Sequence, residues 1–304
     1  MSENVYLPIH PPEEPQKSLA QPELTEDQKK MQLVVQQHFE NSAYTLPTDS
    51  EKTPLTDAEK MWLSYECILR YLRASKWKVD DAVRRCEATL AWRREYGIYD
   101  KVTAEHVEPE AVTGKQILLG FDVHGRPGMY LLPSRQNTTE PTRQVQYTVW
   151  MLERCIELMP PGVESLDLLI DYADKAKNPS FSTARAVLSI LQDHYPERLG
   201  VALILNVPFL INAFYKLMNP FIDPVTRIKL KFNPRVIQDG IFAPDQLMTQ
   251  GWGGSCNFEY AHDKYWPALV SLCNERAELW KANWEKMGGK VGLKEADYKS
   301  SVGA

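Results

Sequence analysis

The sequence predicts an α/β protein in which a helical N-terminal lobe precedes a mixed, partly parallel sheet flanked by helices. Three observations carry this. Before residue 100, apolar residues recur at helical spacing behind capping residues. From Gln116 onward the apolar spacing shortens to that of strands. Further on, the apolar run Leu166 to Ile170, a helical stretch from Phe181 to His194 and the apolar run Val201 to Leu205 follow one another, an order that implies a right-handed crossover between parallel strands.

Taken in order, residues 1–24 are Pro-rich and aperiodic, and read as a mobile or peripherally draped tail with little part in function. Thr25-Glu26-Asp27-Gln28 is a capping box that opens a helix with Met31, Val34, Val35 and Phe39 on one stripe. Thr56-Asp57-Ala58-Glu59 is a second, opening a helix with Met61, Trp62, Tyr65, Ile68, Leu69 and Leu72 inward. Asp80 is placed to cap a third, with Val83, Cys86, Leu90 and Ala91 inward and Gly97 as its stop. Ile117 to Asp122, a His124-Gly125 turn and Met129 to Leu132 predict a hairpin. Thr139 is the expected cap of a helix through Met159, whose inner face is Val145, Val149, Leu152, Ile156 and Met159.

Val201 to Leu205 is wholly apolar between Gly200 and Asn206-Val207-Pro208, so it reads as a strand buried on both faces in the middle of a sheet. Val236 to Gln238 reads as an edge strand, and Asp263 to Met287 as a long outer helix. Gly251-Trp252-Gly253-Gly254 fits a plain turn better than a phosphate cradle, because no strong strand precedes it and no Lys joins it. The expected division is 1–54 as an N-terminal extension with one helix, 55–110 as a helical lobe, 111–260 as the sheet domain and 261–304 as a C-terminal helix and tail.

Composition excludes several classes. A chain of 304 residues with 43% apolar content is expected to form one globular unit. Its net charge of −5 argues against a nucleic-acid partner, which demands concentrated Lys and Arg. Cys67, Cys86, Cys155, Cys256 and Cys273 are scattered and odd in number, suggesting neither disulfides nor zinc and a reducing compartment. The start is acidic and Pro-rich, and no apolar run approaches the roughly 20 residues of a membrane span, so a soluble intracellular protein is expected. No G-x-S-x-G, Walker or G-x-G-x-x-G pattern occurs and the six His do not fall at metal-ligand spacing, so neither an enzyme nor a cofactor or metal is expected.

The chemistry concentrates between Leu191 and Phe232. Pro208 permits a helix start, and Phe209, Leu210, Ala213, Phe214, Leu217 and Met218 form a surface too apolar for a plain solvent-facing cover. Asp223-Pro224-Val225-Thr226 restarts the chain with an N-cap acceptor and Pro at N1, and places Thr226 and Lys229 one turn apart. The helix N-terminus at Asp223, Pro224 and Val225, with the free backbone N–H groups of its first turn, a hydroxyl and an ammonium suit a phosphate. Glu197-Arg198 fits a structural ion pair at a helix-to-strand turn as well as it fits a binding role.

Three ordered motifs, Tyr195-Pro196-Glu197-Arg198-Leu199-Gly200, Asn206-x-Pro208 and Phe221-x-Asp223-Pro224-x-Thr226-x-x-Lys229, resemble the CRAL-TRIO lipid-binding family, specifically fungal phosphatidylinositol transfer proteins. Asp122-x-x-Gly125-Arg126-Pro127 and the stretches LRYLRASKW and LAWRREYGI extend the likeness, which covers residues 55–297. The resemblance implies a large apolar lipid cavity closed by a lid helix. It implies that Glu197 accepts inositol hydroxyls, that Thr226 and Lys229 hold the phosphodiester, and that Leu166, Leu168 and Ile170 line the cavity. It assigns the lid to Phe209, Phe214, Leu217, Met218 and Phe221, against the alternative that these are ordinary core.

Two departures bear on cargo. Ser75 stands between Ala74 and Lys76 where relatives often carry a cation toward the inositol phosphate. Leu166 and Leu168 stand where carriers of phosphatidylcholine place small hydroxyl residues, a wall that suits a sterol better. With the ending HDKYWPAL…GGKVGL, this resembles the sterol-binding branch associated with azole tolerance. The implied partners are membrane lipids, met by transient peripheral contact at lipid droplets, endoplasmic reticulum or cell periphery, and lipid kinases if the protein presents rather than moves its lipid.

Overall fold

The computed structural model describes residues 4–17, 23–47, 52–173, 181–208, 213, 222 and 224–300. Helix α1 (Glu26–Glu40) opens with the expected box: Gln28 N donates to Thr25 Oγ1 at 3.2 Å and Thr25 N to Gln28 Oε1 at 3.0 Å. Val35 and Phe39 are buried, but Val34 is 51% exposed, so the inner stripe is narrower than the spacing implies. The second box forms as well, yet α2 (Asp57–Trp62) ends after six residues. Helix α3 (Tyr65–Ala74) then starts afresh, with Ser64 Oγ accepting from Cys67 N at 3.0 Å. The apolar period runs unbroken through Leu63 and Ser64 and predicts a single helix. The Ser64 hydroxyl, by taking an amide at a new N-cap, breaks it.

Helix α4 (Val79–Tyr96) begins at Lys78, which makes no side-chain cap; Asp80 and Asp81 fall inside its first turn, where they favour the helix dipole rather than cap it. Gly97, at φ 80°, ends it as expected. Val35, Leu46, Leu63, Ile68, Leu72, Ala82, Cys86 and Leu90 form the core of this helical part. A short pairing of β1 (Leu46–Pro47) with β2 (Lys52–Thr53) accompanies it. Glu295 supplies a buried polar centre, accepting from Ser64 Oγ at 2.7 Å, Arg70 at 3.0 Å and Lys299 Nζ at 2.6 Å.

The chain divides into two compact units, not the single one its length suggests: residues 19–101, 191–197 and 275–304 form one, and 1–18, 102–190 and 198–274 the other. The helices around α3 and α4 bury their stripes on one another, which gives them a core of their own.

The other unit is built on a five-stranded sheet in the order β3 (Gln116–Phe121), β4 (Pro127–Leu131), β5 (Leu166–Asp171), β6 (Leu199–Leu205), β7 (Leu230–Phe232). The first pair is the predicted antiparallel hairpin, and the remaining three pairings are parallel. The predicted fold class, a mixed and partly parallel sheet behind a helical N-terminal region, is the observed one. Strand β6 is interior, with Val201 to Ile204 buried, but it is fourth of five, and β5 holds the middle.

The edge predicted at Val236 to Gln238 is a turn, closed by Gly240 N to Ile237 O at 3.0 Å and Ile241 N to Val236 O at 3.0 Å. Pro234 cannot donate to a ladder, and the real edge strand, β7, lies just before it. At the other edge, Tyr265 Oη accepts from Leu118 N at 2.7 Å and donates to Leu118 O at 2.8 Å, satisfying the outer backbone of β3. Gly120 sits at φ 69° at the β3 irregularity, where a Cβ would clash with Gln246 O.

Helix α5 (Ala104–Ala111) is capped by Thr103 and carries Glu110, which is fully buried. Its carboxylate accepts from Lys115 Nζ at 2.5 Å, Thr138 Oγ1 at 2.5 Å and Arg143 Nε at 2.9 Å. Burial opposes ionisation of Glu110, but these donors outweigh it and hold the carboxyl below its ordinary value; burial in turn pulls Lys115 down.

Helix α6 (Pro141–Glu157) has Glu140 at its N-cap without a side-chain bond, so Thr139 is not its cap. Pro at N1 supplies the preset φ that starts it. Helix α7 (Phe181–His194) has the predicted bounds. The helix His262–Lys286 buries Tyr265, Trp266, Leu269, Cys273, Trp280 and Trp284. Residues 4–17 drape as expected: Val5 bridges Phe258, and Lys17 N donates to Val123 O at 2.8 Å.

Candidate functional site

The loop after α7 is pinned residue by residue. His194 stacks on Trp92 at 4.1 Å and 6°, bonds Thr89 Oγ1 through Nδ1 at 3.1 Å, and offers its carbonyl to Tyr71 Oη at 3.1 Å. Burial pulls its pKa down to about 4, which keeps the ring neutral at neutral pH. Arg85 holds Gln192 O at 3.0 Å. So anchored, the chain carries Glu197 at φ 60°, a left-handed conformation unfavourable to a side chain of this kind. Arg73 Nε donates to Glu197 Oε2 at 2.5 Å. Ser75 lies buried at the end of α3 with its hydroxyl unpartnered, and Lys76 and Trp77 follow at positive φ.

In the sheet unit, Thr226 lies on the short helix Pro224–Ile228, half-buried, and its carbonyl accepts from Lys229 N at 3.0 Å. Lys229 is fixed at two points: its carbonyl accepts from Ala202 N at 2.9 Å, and its Nζ donates to Leu199 O at 2.6 Å, at the start of β6. Of the predicted phosphate-facing turn, Pro224 and Val225 stand exposed and Asp223 lies outside the described residues. So do Phe209, Phe214, Leu217, Met218 and Phe221.

Sheet register aligns two apolar rows on one face. Leu131, Ile170, Ile204 and Phe232 form one row, and Met129, Leu168, Ala202 and Leu230 the other. Helix α6 covers the β3 side of this face, where Gln116 Nε2 donates to Thr148 Oγ1 at 2.8 Å. Exposure along these rows is uneven: Leu168, Ile170 and Leu230 are half-buried, Ala202 and Ile204 are buried, and Phe232 at the β7 edge is 45% exposed. Leu166, also predicted to line this surface, is only 2% exposed and lies beyond a register shift.

A separate cavity of about 660 Å3 adjoins the far ends of β5 and β6, with Arg135, Asp171, Asn206, Trp252 and Tyr260 in its wall; Leu166, Leu168 and Ile170 do not border it. The Gly251 to Gly254 loop is a turn in which two amides are spent internally, Gly253 N on Thr249 O and Gly254 N on Met248 O.

Sequence spacing missed Asp167 and Arg73. Asp167 is fully buried beside Arg126, 3.9 Å away, and accepts from Val201 N at 2.9 Å; burial and the neighbouring Asp122 push its carboxyl well above the usual range. Gly200 is required there, because a Cβ would strike Asp167 Oδ1 and Arg126. The Gly200 and Arg126 of two separate motifs thus meet on one buried carboxyl. Among the described residues no group of three or more His, Cys, Asp or Glu could hold a metal ion, and no helix is long and apolar enough to cross a membrane.

Comparison with known proteins agrees with this arrangement. Residues 111–254 match the CRAL/TRIO domain model and residues 34–87 the CRAL/TRIO N-terminal domain model. The phosphatidylinositol transfer protein PDR17 of Saccharomyces cerevisiae is 39% identical over 300 residues, covering 91% of this chain and 84% of that protein. The chain belongs to the CRAL/TRIO family.

A CRAL-TRIO domain-containing protein of Schizosaccharomyces pombe is 48% identical over 252 residues, 82% of this chain, but this CRAL/TRIO chain spans only 25% of that protein's length. The crystal structure of Sfh5 superposes with a TM-score of 0.57 at 17% identity, covering 85% of this chain and all of that one, a likeness of fold.

Proposed function

We propose that the protein is a lipid carrier without catalytic activity or cofactor, which takes phosphatidylinositol, and sterol in place of phosphatidylcholine, from membranes and exchanges them. The observation that carries this reading is the apolar sheet face, which runs through buried Ala202 and Ile204 to an exposed Phe232 on β7, the strand that follows the Thr226–Lys229 turn. The name of PDR17, a phosphatidylinositol transfer protein, supports the cargo. In this reading Thr226 and Lys229 take the phosphodiester, Glu197 takes inositol hydroxyls, and Leu168 and Ile170 meet the apolar part of the cargo. Leu166, at 2% exposure, belongs to the same lining in this reading. Placement in the sterol-binding, azole-tolerance branch, and residence at lipid droplets or endoplasmic reticulum, belong to the same proposal.

The energetics set what such a carrier must do. Each acyl CH₂ kept from water contributes about 0.8 kcal/mol, so a pair of acyl chains represents on the order of 20 kcal/mol. A carrier need only match the bilayer and keep the tails dry in transit. The lid assigned to Phe209, Phe214, Leu217, Met218 and Phe221 would serve that end. If it does, amides of residues 208–218 exchange with solvent faster than those of β6 in a hydrogen-exchange experiment, and equal protection argues for plain core.

Vesicle-to-vesicle transfer tests the carrier directly. The wild-type protein should move phosphatidylinositol and move phosphatidylcholine about tenfold more slowly, because an apolar Leu168 leaves headgroup hydrogen bonds unmade. Comparable rates for both would end the selectivity argument. Retained binding without transfer of either would favour a protein that presents phosphatidylinositol to lipid kinases.

A further inference from the structure

Three of the ten large apolar side chains that stand exposed among the described residues fall within eight positions: Val225 at 61%, Ile228 at 80% and Phe232 at 45%. Val225 and Ile228 are one turn apart on the helix Pro224–Ile228, and Phe232 ends the edge strand β7. Cations are threaded through the same stretch. From Pro224 to Arg235 the chain carries Arg227, Lys229, Lys231 and Arg235 and no acid, in a protein whose net charge is −5. Arg227 and Lys231 are exposed, and Arg235 is 79% exposed with Asp239 only at 3.9 Å; Arg227 also donates to Ile222 O at 3.1 Å.

We propose that this patch is the surface by which the protein docks on an anionic lipid bilayer. Exposed apolar groups bordered by Arg and Lys suit the boundary between acyl chains and anionic headgroups, where each cation contributes to attraction and each apolar side chain leaves water. Register supplies the link to function. Phe232 continues the row Leu131, Ile170, Ile204 across the sheet, so this member of the patch is the outer end of the same apolar row. A lipid leaving a bilayer at this patch meets that face without crossing a polar barrier, and in this respect the inference rests on the carrier reading. An acidic protein partner would meet the same charges but would have no use for that continuity.

The test is co-sedimentation of the full chain with phosphatidylcholine vesicles, with and without phosphatidylserine. Wild-type protein is expected to bind the phosphatidylserine vesicles preferentially and to release as salt is raised. Arg227→Gln with Lys231→Gln should lower partitioning roughly 25-fold, about fivefold for each charge removed. Ile228→Asp should lower it on both vesicle types. All three positions are exposed, so circular dichroism melts should match wild type. Variants that bind vesicles as wild type does would overturn the surface, and so would wild-type binding indifferent to phosphatidylserine. Lipid loading, read separately by solvent extraction, keeps the two ideas apart. Loaded protein with unaffected variants removes the docking surface alone, and empty protein that still docks through these residues removes the carrier reading alone.

Discussion

Lys229→Ala should lower phosphatidylinositol transfer about a hundredfold while sterol loading persists. The ammonium is held at a defined point by Leu199 O, 2.6 Å away, and its carbonyl is tied to Ala202, so its position comes from the sheet. A charge-assisted contact to a partly buried phosphate contributes about 2–3 kcal/mol, which is roughly a hundredfold in affinity. A sterol carries no phosphate and should be indifferent to the change. Loss of the part-buried hydrogen bond to Leu199 O costs about 1 kcal/mol, a melting shift of a few degrees. Glu197→Ala combined with Lys229→Ala should abolish phosphatidylinositol transfer altogether.

The backbone of Glu197 provides the control. At φ 60° an L side chain costs about 1 kcal/mol that glycine does not, and its ion pair with Arg73 is partly solvated and contributes little. Glu197→Gly should therefore be more stable than Glu197→Ala by about 1 kcal/mol, and equally deficient in phosphatidylinositol transfer. Transfer retained in Glu197→Gly would assign the carboxylate to the turn rather than to the lipid. Joint loss of both lipids with a lowered melting temperature would do the same for Lys229.

The largest effect on stability is expected at Glu110. Its carboxylate is fully buried and meets Lys115, Thr138 and Arg143, and Lys115 is itself only 5% exposed. Glu110→Ala leaves a buried ammonium without its anion and should cost about 3–5 kcal/mol, a large part of the margin of a typical domain. The same group predicts a pH dependence. Its folded pKa lies below the ordinary value of 4.5, so its contribution is complete above that value and is lost as pH falls through the folded pKa. Thermal melts across the acid range should show wild type losing stability there more steeply than Glu110→Gln. Parallel profiles with similar midpoints at neutral pH would show that the carboxylate is dispensable.

What was legible in the sequence was local. The capping boxes at Thr25 and Thr56, the stop at Gly97, the hairpin around His124-Gly125 and the helix Phe181–His194 are set by short-range chemistry, and they stand as read. Ser64 escaped because one hydroxyl can start a new helix without disturbing the apolar period. Strand β7 escaped because three residues with a central Lys231 leave no periodic trace, and the more strand-like Val236 to Gln238 drew the assignment instead. Pairings across the chain were out of reach for the same reason. Arg73 meets Glu197 from 124 positions away, and Asp167 joins Arg126 and Gly200 only once the parallel strands align. Leu166 and Leu168 look equivalent in sequence, yet the first is buried and the second half-buried, a difference that depends on what packs over each and not on their spacing.

The central claim is that this apolar face carries phosphatidylinositol and sterol but little phosphatidylcholine. Mass spectrometry of the lipids extracted from the purified full chain addresses it without variants or vesicles. The account predicts phosphatidylinositol and a sterol well above the background set by an unrelated protein purified alongside, with phosphatidylcholine at that background. Phosphatidylcholine as the main bound lipid, or no lipid above background, would contradict it.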